Sequence, residues 1–455
     1  MTVPALRAIM RNSVGFITAV SVVAGSVIGT GVFLKPATMA ANAQSVAWVL
    51  AAWLLAGLLS YAGALTYAEL CSRYPEAGGE YAFLREAYGD FAAYLFGWMR
   101  FTIGAPGSAA SYAVGAATFL HAVIPYEASG IRIWQVAVGF VLVFTIINSV
   151  TIWVSASVQV GLTALKIMSI AAIVVTLVFF TPAHTSPSPA AVWPGMVSFS
   201  AAILAALWAY DGWNNLPMLG AEVRDGRKNL PLALAIGMAV VIFVYLALNA
   251  AFFRVLDFSE VTQLTAVGRS AQTPVATAAL SHSIAGASVK VIAAVLVVSA
   301  LGAMNGSILS SARVPYAMAR DGVFFRPLAT LSPKRSIPVI STLTQGGIAV
   351  ILAASGTFDQ LTDSVVFISW IFYALTASTL FHFRRQKTAH AAFLSPFYPV
   401  LPVVFIVLSA GLTVYTVLAQ PELTLLGLGI VTAGIPLYFW FARRKGAAQS
   451  DREQP

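Results

Sequence analysis

Apolar runs of roughly 17 to 25 residues or more recur along the whole chain, each long enough to cross about 30 Å of hydrocarbon as a helix. Nothing constrains the fold more, because hydrocarbon offers backbone groups no partner and a spanning segment must close its own hydrogen bonds. The composition agrees: 59% of residues are hydrophobic and 9% charged, against about 25% charged in soluble domains. The chain therefore reads as an all-α polytopic membrane protein.

Twelve spans are expected, near 14–34, 46–69, 92–122, 133–153, 157–180, 197–219, 233–254, 286–319, 338–354, 361–383, 398–419 and 423–442. The loops between them are short and leave no soluble domain. No cleavable leader is expected, since the first run is too long for a leader's apolar core. Basic residues set the orientation, because cytoplasmic loops retain them. One side collects Arg7, Arg11, Arg73, Arg85, Arg224, Arg227, Lys228, Arg320, Arg326, Lys334, Arg335, Arg384, Arg385, Lys387, Arg443, Arg444, Lys445 and Arg452, and the other keeps Lys35, Arg132, Arg254, Arg269 and Lys290. Both termini should be cytoplasmic, in a plasma or inner membrane. The net charge of +9 is thus a topology signal, and its dispersal over separate loops speaks against nucleic acid as a partner. Cys71, the single cysteine, is expected in the loop after the second span and can form no internal disulfide.

Two spans are written against helix formation. The first holds AGSVIGTGVF, residues 24–33, with Gly25, Gly29 and Gly31 at its centre. The sixth holds ALWAYDGWNNLP, residues 206–217, with Asp211, Gly212, Asn214 and Asn215 before Pro217. Gly25-xxx-Gly29 is also a small-residue helix-packing pattern, but Gly31, Thr30 and the second interruption favour unwinding. The two interruptions are five spans apart. Five is odd, so a second five-helix unit enters from the opposite face, and the repeat is inverted: 1–181 holds the first unit, 182–388 the second, and 389–455 the last two helices and the tail. Paired interrupted segments point to a binding site at mid-membrane. A half-helix beginning near Gly31 aims free amides and a positive dipole end inward, where a carboxylate fits. Carbonyls freed around Val27, Trp208 and Asp211 would take an ammonium. Together these describe the constant part of an α-amino acid.

GSVIGTGVF resembles the glycine-rich first-helix motif of the amino acid-polyamine-organocation superfamily. LWAYDGWNNLPMLGAEVRDGRKNLPLAL resembles the sixth helix and following loop of its L-type amino acid transporter branch, and NGSILSSARVPYAMARDG that branch's eighth helix. The resemblance covers essentially the whole chain. It implies a LeuT-like fold of twelve helices, a five-plus-five inverted repeat with helices 1 and 6 broken and two helices added. It also implies that Thr30 and Gly31, with Ile28 and Gly29 in the same unwound stretch, hold the carboxylate. The carbonyls of Val27, Trp208 and Asp211 would hold the amine, and Trp208 would close over the substrate. Animal members of the branch join a heavy chain through a cysteine between spans three and four. The corresponding loop here, IPYEASGI, has none, so no disulfide-linked heavy chain is expected.

Ionisable and polar residues inside the spans carry the remaining expectations. Lys166 in span five either snorkels to the interface or, as the resemblance implies, stands where sodium-coupled relatives bind the ion, with Ser307 or Ser310 of span eight as partners. The second reading predicts transport without sodium. Asp211 either caps the broken end of span six, the favoured use, or meets a cationic side chain of the substrate. Tyr245, Asn249 and Asn305 either hold helices together or move with a gate. Arg100 and Arg313 are expected to snorkel or pair near the inner ends of spans three and eight. Glu69, Glu80 and Glu222, near Arg73, Arg85 and Arg224, are expected to be solvated loop charges, with ion pairs that open and close with an inner gate as the alternative. The expected function is sodium-independent transport of L-amino acids, neutral ones first, as exchanger or proton-coupled symporter, with cationic amino acids or polyamines as the alternative cargo. No cofactor is implied. An intramembrane enzyme is the rival class, but the chain has no HExxH, no GxSxG and no metal-spaced His/Cys cluster,. A membrane receptor is the other, and it gives no reason to break two helices.

Overall fold

A computed structural model describes residues 14–185, 190–264, 274–284, 286–332, 337–355, 358–386, 391–419 and 421–453. Arg7, Arg11, Arg269, Lys334, Arg335 and Lys387 lie outside the described residues. Among the described residues the chain is helical, with two isolated bridges, Val14 to Val223 and Ala77 to Leu219, as the β pairing.

The first span is two helices, α1 (Phe16–Val27) and α2 (Gly31–Ala43), bent by 41° at the break. α2 continues past Lys35, where the apolar run was expected to end, because Ala37, Met39, Ala40 and Ala43 keep a buried face. Lys35 itself lies with its ammonium 4.6 Å from the Trp208 ring centroid. α3 (Val46–Arg73) follows from a Ser45 cap, and α4 (Glu80–Tyr88) fills what was expected to be loop. α5 (Asp90–Met99) runs through a π turn at Arg100–Gly104 into α6 (Ala105–Val123). Pro106, with no amide to donate, loosens the ladder there.

The first half closes with α7 (Ile133–Val150) and α8 (Ile152–Val175). The sixth span is again divided, into α9 (Met196–Ala209) and the short α10 (Asn215–Met218). Next come α11 (Gly226–Val255), the small helices α12 (Phe258–Gln263) and α13 (Val275–Ile284), then α14 (Ser288–Ser311) with its extension α15 (Arg313–Arg320). α16 (Val339–Ser355), α17 (Phe358–Gln386), α18 (Val400–Ala419) and α19 (Pro421–Glu453) complete the chain.

Six helices among the described residues are long and apolar enough to cross a membrane, or seven with the bent pair α1–α2 counted as one. Several other expected spans fall on helices that are divided or short, such as the 17-residue α16. The core forms where α1 packs on α8 and α11, α2 on α9, α3 on α11 and α6 on α14. The two breaks lie inside it, with Val27, Ile28 and Ala209 buried.

Candidate functional site

Glycine brings the two breaks together. A Cβ on Gly31 would stand 2.7 Å from the Ala209 Cβ and 2.9 Å from its Cα, so only glycine lets α2 start against the end of α9,. Gly212 has φ +113° and approaches Ser26, whose carbonyl oxygen a Cβ would meet at 3.0 Å. Gly25 takes the packing role of the small-residue pattern, lying against Gln159 and Thr163 of α8.

The carbonyls freed at the first break are claimed by side chains from three other helices. Lys166 Nζ donates to the carbonyls of Gly25 and Ile28, both at 2.7 Å. Lys166 is 1% exposed, which excludes snorkelling. Ser299 Oγ donates toward Ile28 at 3.1 Å and Gly29 at 2.9 Å. The Tyr245 hydroxyl sits 2.9 Å from both the Val27 and the Ala209 carbonyl, and its one proton can go to either, so one side chain links the two breaks. Val27 also accepts from the Gly29 amide at 2.7 Å. When the single Tyr245 proton points to Val27, both lone pairs of that carbonyl are engaged, and a substrate amine then displaces a donor to use it. On the other side of the break, the amides of Thr30, Gly31 and Val32 precede the first ladder bonds of α2, which Phe33 and Leu34 make to the Thr30 carbonyl. They are the free amides of a helix start.

At the second break, Trp208 is half-buried beneath Lys35 and beside Gly31. The Asp211 carboxylate accepts the Tyr373 hydroxyl of α17 at 2.8 Å, and the short helix after the break starts from Asn214 with no side-chain cap. Tyr373 and Ser299 were missed as site residues. Ser299 carried a signal, a hydroxyl within an apolar helix two turns before Ser307. Gly302, one turn on, leaves the space that the Lys166 ammonium fills, since a Cβ there would meet Nζ at 2.8 Å.

Other expected partners are placed differently. Ser310 bonds the carbonyls of Gly306 and Ser307 on its own helix, so the span-eight hydroxyl of the Lys166 site is Ser299 and neither Ser307 nor Ser310. Asn305 donates to Gln159 at 2.8 Å and to the Ser155 carbonyl, and accepts from Asn148, fastening α14 to α7 and α8. Asn249 bonds the Tyr245 carbonyl one turn back. Cys71 is buried in the last turn of α3.

The three glutamates expected to be solvated are buried. Glu69 pairs with Arg73 at 2.7 Å and Arg384 at 2.5 Å, and Glu222 with Arg313 at 2.9 Å. The burial was hidden because most of the pairing cations come from distant segments. Glu80 instead accepts from the Tyr67 hydroxyl at 3.0 Å and from Asn214, in the unwound part of span six, at 3.2 Å. Arg100 is buried too, its guanidinium donating to Asn215 at 3.3 Å and its Nε without a partner. Glu80 opens α4, outside the membrane spans, and burial raises its carboxyl from 4.5 to about 7. The Arg100 charge and the two donors pull against that rise and the Asp211 carboxylate adds to it.

Comparison with known proteins gives the arrangement a context. The amino acid permease family model matches residues 14–438. The serine/threonine exchanger SteT of Bacillus subtilis (strain 168) is 31% identical, over 96% of this chain and 98% of its own length. The b(0,+)-type amino acid transporter 1 of Mus musculus is 29% identical over 96% of the chain and 89% of its own, and the mouse Asc-type amino acid transporter 1 is 28% identical over 95% and 82%. The relatives are transporters and not enzymes, and the chain belongs to the amino acid permease family.

Proposed function

We propose that this chain is a sodium-independent transporter of neutral L-amino acids, working by alternating access as an exchanger or a proton-coupled symporter. One observation carries the reading: two helix breaks face each other, and the buried Lys166 side chain already donates to the carbonyls that an added cation would otherwise satisfy. The substrate carboxylate would lie on the amides of Thr30 and Gly31, with Ile28 and Gly29 shaping the approach. Its amine would reach the carbonyls of Trp208 and Asp211, and that of Val27 by displacing the Tyr245 hydroxyl. Trp208 would close over it. Neutral cargo is favoured over cationic amino acids or polyamines because the Asp211 carboxylate is already taken by Tyr373.

The same reading makes the fold a LeuT-like five-plus-five inverted repeat with two added helices, of twelve spans, bounded at 1–181, 182–388 and 389–455. Supporting it, corresponding spans of the two units pack together: α2 on α9, α3 on α11, α6 on α14 and α7 on α16. The termini would lie in the cytoplasm, on the side of α4, and the chain would work without a disulfide-linked heavy chain. The test is counterflow in proteoliposomes against the twenty amino acids, with and without sodium and a pH gradient. Saturable exchange of neutral amino acids that ignores sodium is expected, and sodium stimulation would refute the assignment of Lys166.

A further inference from the structure

Three glutamates are buried on the α4 side of the breaks, and one is unlike the others. Glu69 and Glu222 each hold an arginine at salt-bridge distance. Glu80, fully buried, is held by two neutral donors, Tyr67 and Asn214. The charged and titratable groups facing it are Tyr67 and Cys71 on α3, Arg100 on the π turn, Asp211 at the break and Tyr373 on α17. Arg100 directs its guanidinium to Asn215 and Met218. One cation among two carboxyls leaves the cluster one positive charge short, and a buried cluster restores neutrality by binding a proton.

The surroundings tie that proton to a moving part. The stretch leading into α4 is pressed on the end of span six: a Cβ on Gly79 would meet the backbone of Pro217 at 2.7 Å, and the Gly78 amide donates to the Met218 carbonyl at 3.1 Å. Asn214 adds the bond from the unwound segment to Glu80.

We propose that Glu80 is the proton-binding site of this transporter: its carboxylate holds the unwound end of span six through Asn214, and protonation releases it. The proposal rests on the transport reading above. Asn214 donates to Oε2 and Tyr67 to Oε1. A proton taken from solvent onto Oε2 turns that atom from acceptor into donor, so the bond from Asn214 is lost and α4 loosens from span six while Oε1 still accepts from Tyr67. Acid therefore favours release, and alkali favours the latch.

The test uses the full chain in proteoliposomes, with counterflow of labelled L-serine and of the other amino acids measured from about pH 5 to about pH 9. The parent rate should change severalfold with a midpoint near neutral, and Glu80→Gln, an isostere of the protonated acid, should hold it at the acid value throughout. Tyr67→Phe, which removes a hydrogen bond from the charged form, should move the midpoint up by about one pH unit. A parental pH profile in Glu80→Gln would overturn the proposal. The second measurement needs no transport: infrared difference spectra of the purified parent should show a protonated carboxyl band that titrates near neutral and is absent from Glu80→Gln. An unchanged band in the variant would overturn the site by itself, whereas failure of every amino acid to exchange would overturn the transport reading beneath it.

Discussion

Lys166 reaches two carbonyls at 2.7 Å from a helix that is not its neighbour in sequence, and those carbonyls are free only because the first helix stops. Replacing it by alanine leaves Gly25 without its donor, while Ile28 keeps Ser299. An unsatisfied buried polar group costs about 1–3 kcal/mol. Half-saturation in counterflow for Lys166→Ala should therefore rise about 10-fold or more, with sodium still without effect on the parent. An unchanged value would show that the ammonium does not order the break. Gly31 is tested by the smallest possible addition. The methyl of Gly31→Ala would press on Ala209 and separate α2 from α9, so substrate binding should fall at least as far. Parental affinity in a well-folded Gly31→Ala protein would remove the amides of α2 from the site.

Each break consists of two half-helices that share no ladder, and the Tyr245 hydroxyl joins them across the site. Tyr245→Phe keeps the ring, which packs edge-on against Trp53, and removes only the bridge. Turnover is expected to drop about 10-fold with a loss of roughly 1–2 kcal/mol in stability, read from exchange rates and thermal unfolding. Equal rates in mutant and parent would mean that the breaks move independently. Both breaks were legible in the sequence because Gly29, Gly31, Asp211 and Gly212 interrupt runs that are otherwise apolar. Lys166 was legible for the same reason, as a charge inside a span. Its hydroxyl partner was not: Ser299, Ser307 and Ser310 are alike in sequence, and only the direction of each side chain on α14 separates them. The length of α2 was hidden by Lys35, a residue that marks a membrane boundary by composition but is accommodated over Trp208.

At the scale of the whole molecule, ion pairs join distant parts of the chain around the α4 side. Arg384 reaches Glu69 across 315 positions, Arg85 reaches Asp321 across 236, and Arg313 reaches Glu222 across 91. Their burial decides which of them matters for stability. Arg313 and Glu222 have side chains 2% and 3% exposed, whereas Lys445 and Asp90 are 32% and 31% exposed. Glu222→Gln keeps the shape but leaves the Arg313 cation buried without its counter-charge, which should cost about 3–5 kcal/mol. Asp90→Asn breaks its pairs with Lys445 and Arg85, which water already screens, and should cost about 1 kcal/mol or less. Thermal unfolding of the two purified variants in one detergent compares them directly, and the Glu222 variant should melt well below the Asp90 variant. Replacing both Glu222 and Arg313 with leucine should recover most of the stability, because no buried charge then remains. If the pair also holds the end of span six against α15 during each cycle, that double variant should stay folded yet exchange amino acids slowly. A double variant with parental exchange would leave the pair a purely structural role, and equal melting of the two single variants would show that Arg313 finds water when its partner is removed.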